Sequence, residues 1–151
     1  MSIDYIVSSL PALRFGEKAP LTWAKFVDVV GGELPMPRAW TDLETQLRNA
    51  LAEARGGGEK YRRECAGCEL YWKNRILAAF QEKDALKRDE AIDRVWWDAA
   101  GELTPPASPL GAGALATYAV RLKITLKRSM IDTEAGNAAF DRLTAETKVQ
   151  L

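Results

Sequence analysis

The order of charges limits what this chain can fold into more than any other feature. Residues 59–94 carry 17 charges, nine basic and eight acidic. Glu59/Arg63, Glu69/Lys73, Asp84/Arg88 and Glu90/Arg94 each stand four apart with the acid first. On an α-helix, residues four apart share a face, and the acid-first order is the favourable one, worth roughly 0.3 kcal/mol per pair. Between the charges, Tyr61, Cys65, Cys68, Trp72, Ile76 and Phe80 recur at helical spacing, and Ile92, Trp96, Ala99 and Leu103 form a second stripe. Both patterns predict a helical hairpin over this stretch, broken near 81–84.

The flanking segments read the same way, with one exception. Residues 1–20 form an apolar lead in which Asp4, Tyr5, Ile6 and Val7 favour extended structure, Pro11 interrupts, and Gly16 and Pro20 mark a loop. Thr22 is placed to cap a short helix that Gly31 and Gly32 end near Val30. Trp40, Leu43, Leu47 and Leu51 make one stripe over 38–55, and Gly56, Gly57 and Gly58 stop it. Thr104, Pro105 and Pro106 form a second stop, after which Ser108 and Pro109 can cap and begin a helix. Its stripe is Leu115, Tyr118, Leu122, Leu126 and Met130. Asp132 or Thr133 then caps a last helix carrying Ala139, Phe140 and Leu143. The expected fold is mostly α: a bundle of about five to six helices with a short extended N-terminal segment. It forms one domain over 1–151, with a division into two lobes allowed near 104–108.

Composition narrows function by exclusion. The 151 residues hold 21 Lys plus Arg, 21 Asp plus Glu, two Cys and no His. Without histidine there is no Ser-His-Asp or Cys-His nucleophile system, no His-ligated metal and no His proton shuttle. A formal charge of zero argues against a nucleic-acid coat, which needs a basic surface to displace counterions. The weakly charged stretch 103–120 is too short and too broken by Pro and Gly to span a bilayer, and the start lacks the basic n-region of a signal peptide. A cytoplasmic protein without direct membrane insertion is expected, with no cofactor and no enzymatic activity.

Two clusters nonetheless offer chemistry. Cys65-Ala66-Gly67-Cys68 supplies half a tetrahedral zinc site or a redox pair, but no second pair or His completes a metal site within one chain. The helical pattern places the motif mid-helix, where cysteine serves as a small core residue; a metal shared between chains and a thiol-redox role are the alternatives. Gly56-Gly57-Gly58-Glu59-Lys60 and Gly111-Ala112-Gly113 lack the spacing and preceding strand of phosphate-binding loops.

No acid stands between Leu103 and Ile131, while Arg121, Lys123, Lys127 and Arg128 gather there. They read either as a basic face for an acidic partner or as cations near a helix C-terminus. Adjacent Trp96 and Trp97 point about 100° apart on a helix, and periodicity puts Trp96 inside. Trp97 then falls on a flank, between lobes or at a partner interface. The acids Asp89, Glu90 and Asp93 read as a solvated helix surface.

Three stretches together resemble a known family. Residues 5–20, Tyr-Ile-Val-Ser-Ser-Leu-Pro-Ala-Leu-Arg-Phe-Gly-Glu-Lys-Ala-Pro, are similar to the opening of a bacterial family of unknown function encoded among the subunits of V-type (A/V-type) ATPases. Residues 93–103, Asp-Arg-Val-Trp-Trp-Asp-Ala-Ala-Gly-Glu-Leu, resemble its aromatic-Asp helix. Residues 115–124, Leu-Ala-Thr-Tyr-Ala-Val-Arg-Leu-Lys-Ile, resemble its Tyr-Ala-x-x-Leu-Lys helix, followed by 132–136 and Phe140. The chain is short in its middle relative to that family, and Cys65 and Cys68 are not part of the resemblance. No catalytic residue is implied. The resemblance implies an accessory, stalk or assembly role through protein–protein contact, with V-type ATPase stalk subunits as partners. It also implies a distant analogy, at the level of fold, to the all-helical V-type ATPase component that couples the central stalk to the membrane ring.

Overall fold

The computed structural model describes residues 2–67 and 69–150, with side chains through Ile131. It is built of helices: α1 (Ile3–Ser9), α2 (Trp23–Val30), α3 (Arg38–Ala54), α4 (Leu70–Phe80), α5 (Ala85–Ala100) and α6 (Ala112–Gln150), with short 3-10 turns at Gly58–Tyr61 and Gly101–Leu103. Among the described residues there is no strand. The expected mostly-α bundle is the observed class.

Local signals account for most of the ends. The Thr22 hydroxyl accepts from the Lys25 N–H, and Gly31 takes φ 90° so that its N–H returns to the Val27 carbonyl. Asp84 accepts from the N–H groups of Leu86 and Lys87, which starts α5 where the hairpin was expected to break. Gly56, at φ +86°, ends α3.

Four expectations need correction. The segment holding Tyr5, Ile6 and Val7 is the helix α1, not extended chain. The Ser8 and Ser9 hydroxyls return to the carbonyls of Asp4 and Ile6, and packing of α1 on α6 buries Ile6, so tertiary burial overrides β-propensity. The chain around Cys65 is not helical: Gly67 takes φ +77°, outside the right-handed helical region, and α4 begins only at Leu70. Cys68 lies outside the described residues.

No break occurs at Asp132 or Thr133. The α6 backbone runs 39 residues without interruption, about 58 Å at 1.5 Å per residue. Capping residues favour a helix start but do not compel one, and Gly136 costs only about 1 kcal/mol inside a helix. The side chains of Ala139, Phe140 and Leu143 lie outside the described residues. Finally, α6 starts at Ala112, not at Ser108 and Pro109, and Met130 of its expected stripe is exposed.

One core layer joins Trp40, Leu43 and Leu47 of α3, Trp72 and Ile76 of α4, Val95 and Trp97 of α5, and Val120 and Ile124 of α6. A second layer, on the other side of α6, gathers Phe26, Ala119 and Leu122, with Leu10, Leu13 and Trp23 packed around them. The helix α6 therefore runs between two apolar layers. It approaches the 3-10 turn after α5 closely: a Cβ on Gly113 would collide with the Leu103 carbonyl oxygen.

Candidate functional site

The seam between α5 and α6 is charged where the core would otherwise be apolar. Asp93 sits one helical turn before Trp97 on α5, and its side chain is only 8% exposed. Lys127 donates to its Oδ1 at 2.8 Å and Arg128 to its Oδ2 at 3.2 Å. Arg128 also reaches Asp89 at 3.9 Å. This corrects the reading of Asp93 as a solvated surface acid. Two of the four expected partner-facing cations, Lys127 and Arg128, instead neutralise a buried carboxylate, which would be costly to hold without them. The missed signal was spacing: Asp93 shares a helix face with Trp97.

Trp97 is buried at 7% exposure, while Trp96 is half-buried against the same layer, reversing the expected assignment. The reason is that α5 packs against α4 on one side and α6 on another, so its buried arc includes Asp93, Val95, Trp97, Ala99 and Ala100. A single-stripe rule assumes a helix with one wet face.

Around Trp97 the aromatic and cationic groups interleave. Phe15, from the N-terminal lead, meets Trp97 edge-on with centroids 5.5 Å apart. The guanidiniums of Arg94 and Arg128 lie 5.1 and 5.2 Å from the Phe15 ring centre. Asp98 holds Arg94 at 3.3 Å and Arg75 at 2.7 Å. Phe15 is thereby pinned to the seam by edge-to-face packing and two cation–π contacts. Neither Phe15 nor Asp98 stands out in the sequence: the ring partners of Phe15 are remote in the chain, and Asp98 has one local partner, Arg94, and one remote, Arg75.

Arg121 lies over the Trp97 ring at 5.1 Å and donates through Nε to the Trp97 carbonyl at 3.1 Å. Its Nη2 sits 3.0 Å from where a Cβ on Gly101 would stand, so the glycine makes room for the guanidinium. Burial pushes the Arg121 pKa below its ordinary value; Asp98 draws it back up and Arg94 lowers it further. Nearby, Tyr118 donates to the Pro11 carbonyl at 2.6 Å, and burial pushes its phenol up to about 12. Lys123, the fourth of the expected cations, is exposed and stands 4.7 Å over the Trp23 ring.

The loop after the 3-10 turn is held by a row of α3 side chains. Asn49 bonds both the N–H and the carbonyl of Arg63, Gln46 bonds the carbonyl of Ala66 and the N–H of Glu69, and Asp42 accepts from Ala66 N–H. Those positions, 42, 46 and 49, share one helix face. Half-buried Cys65 borders a cavity of about 280 Å³ between this loop, α3 and α4, together with Glu53, Glu69 and Lys73. Among the described residues, no group of three His, Cys, Asp or Glu is placed to hold a metal ion.

Set against known proteins, the chain matches no family model, no curated protein and no solved structure. No helix among the described residues is long and apolar enough to cross a membrane.

Proposed function

We propose that this chain is a cytoplasmic, non-enzymatic helical component that works by protein–protein contact with a bacterial V-type ATPase, as an accessory, stalk or assembly factor. One observation carries the reading. The three stretches that resemble the ATPase-associated family are far apart in sequence and meet in space. Phe15 packs on Trp97, Tyr118 bonds Pro11, Arg121 bonds Trp97, and Thr117 bonds Ala100. A likeness spread over residues that pack together is what a shared structural unit would leave in a sequence. Partner contact falls to groups that the fold leaves open: Lys123 among the cations, and exposed Tyr5, Leu70, Tyr71 and Leu86 among the apolar side chains. Co-expression with the stalk subunits followed by size exclusion tests the reading. Co-elution supports it; elution alone while the stalk assembles overturns it.

A second reading is a thiol-redox or chain-bridging metal protein using Cys65 and Cys68; one finding bears on Cys65 alone, since Cys68 lies outside the described residues. Cys65 borders an open cavity in a loop and is not locked in a helix. Elemental analysis with thiol titration decides it. Metal near half an atom per chain, lost in Cys65→Ser, would favour this reading over the first.

A further inference from the structure

Among the described residues, Arg121 is the one cation of the α5–α6 seam without a carboxylate of its own. Asp93 is taken by Lys127 and Arg128, and Asp98 by Arg75 and Arg94. Among those residues no ion pair involves Arg121; its Nε is spent on the Trp97 carbonyl, which leaves the two Nη groups as a fork. The fork is held in place by stacking on Trp97 and by the space over Gly101. A guanidinium fixed in this way presents parallel N–H donors at the spacing of a carboxylate.

Arg121 lines a cavity of about 290 Å³ between the N-terminal lead and the first half of α6. The rest of the wall is mixed: Val7, Leu10, Leu13, Pro109 and Ala114 give it an apolar side, and Thr104, Thr117 and Tyr118 a polar one. The hydroxyl protons there are already committed. Tyr118 donates to the Pro11 carbonyl, and Thr117 donates to the Ala100 carbonyl. The 2.7 Å contact between Thr104 and Thr117 must therefore carry the Thr104 proton. Among the lining side chains, only the Arg121 fork has donors left to offer.

We propose that this cavity binds a small aliphatic carboxylate, its two oxygens on the Arg121 fork and its hydrocarbon tail against the Val7, Leu10 and Pro109 wall. A neutral alcohol would gain the wall but leave the fork unmet. A phosphate would bring more acceptor oxygens than one guanidinium can serve, and no hydrocarbon for the Val7, Leu10 and Pro109 side. The volume lies at the low end of ligand cavities, about 300–1,000 Å³, which suits a short-chain acid. Burial of Arg121 adds to the effect, since a partly dehydrated cation has fewer waters to give up when the anion arrives. This inference is independent of the ATPase reading.

The test is a titration of the full chain with isovalerate, followed by NMR at the Arg121 Nε–H and the backbone amides of Leu13 and Ala114. Isoamyl alcohol and inorganic phosphate are run in parallel. Saturable shifts with isovalerate are expected, with apparent affinity at least tenfold weaker for isoamyl alcohol, for phosphate and for the Arg121→Gln variant. Equal binding of the alcohol or of phosphate, equal binding by Arg121→Gln, or no saturable shift would each overturn the proposal. Should Arg121→Gln fail to fold, Arg121→Lys serves instead, since it keeps charge and stem but loses the fork. A tenfold loss is expected there, and undiminished binding overturns the proposal.

Discussion

Asp93 and Lys127 meet across the α5–α6 seam at 2.8 Å, with the carboxylate almost fully buried and the lysine half-exposed. Arg128, on the same carboxylate, is only 18% exposed. The two cations therefore differ in how much the fold depends on them. Replacing Arg128 with Leu leaves a buried charge with one partly wet partner and should cost about 3 kcal/mol. Lys127→Ala should cost about 1 kcal/mol, because water can substitute for an exposed ammonium. Urea unfolding of the two variants checks the order; equal losses would contradict it.

Phe15 ties the N-terminal lead to the seam through Trp97, Arg94 and Arg128. Phe15→Ala should lose about 2 kcal/mol, less than a fully buried Phe because the ring is only partly covered. Phe15→Leu keeps most apolar contact and loses only the ring interactions, about 1 kcal/mol. Trypsin should cut after Arg14 faster in the alanine variant than in the leucine variant, and indistinguishable rates would count against the clamp.

Gly113 and Gly111 stand two apart at the start of α6 and should respond differently to alanine. At Gly113 the added Cβ collides with the Leu103 carbonyl oxygen, a backbone atom that cannot turn aside. At Gly111 the clash is with the Ser108 side chain, which can rotate. Gly113→Ala should cost about 3 kcal/mol and Gly111→Ala under about 1 kcal/mol. Thermal melts of the two variants give the comparison.

The Tyr118 phenol, raised to about 12 in the fold, makes stability fall at alkaline pH. In the unfolded chain it ionises near 10. Between those values the folded state holds the proton more tightly than the unfolded state, so stability drops as pH rises from about 10 through 12. Below that window the contribution is constant. In Tyr118→Phe the alkaline loss should shrink, a difference measurable as the midpoint of urea unfolding against pH.

Asn49 holds both backbone groups of Arg63. Asn49→Ala should free the loop and speed alkylation of Cys65 several-fold in a Cys68→Ser background, with little change in global stability. An unchanged rate would mean that Gln46 and Asp42 alone hold the loop.

Helix content was legible because it is written in local spacing. The stripe of α3, the break at 81–84, the Thr22 cap and the Gly31 stop all depend on residues within a few positions of one another, and each is seen in the fold. The errors were of another kind. The β-branched run at Ile6 and Val7 turned helical once α6 offered a surface to bury it. The stretch around Cys65 left the helix because α3 side chains bonded its backbone from outside.

The candidate site was less legible still. The residues Arg121, Lys127 and Arg128 were visible as a cluster of cations, but their roles depend on what faces them. Asp93 claims Lys127 and Arg128, while Arg121 stacks on Trp97 and lines a cavity. Periodicity puts Trp96 inside and Trp97 on a flank, and the fold reverses the two, because α5 is covered from two sides and its buried arc is wider than one stripe. Local order sets where helices form, since backbone bonding and side-chain spacing act over one turn. Which charges are buried, which tryptophan is inside and which guanidinium stays free are set by tertiary packing, whose partners lie 17 to 110 positions away in the chain.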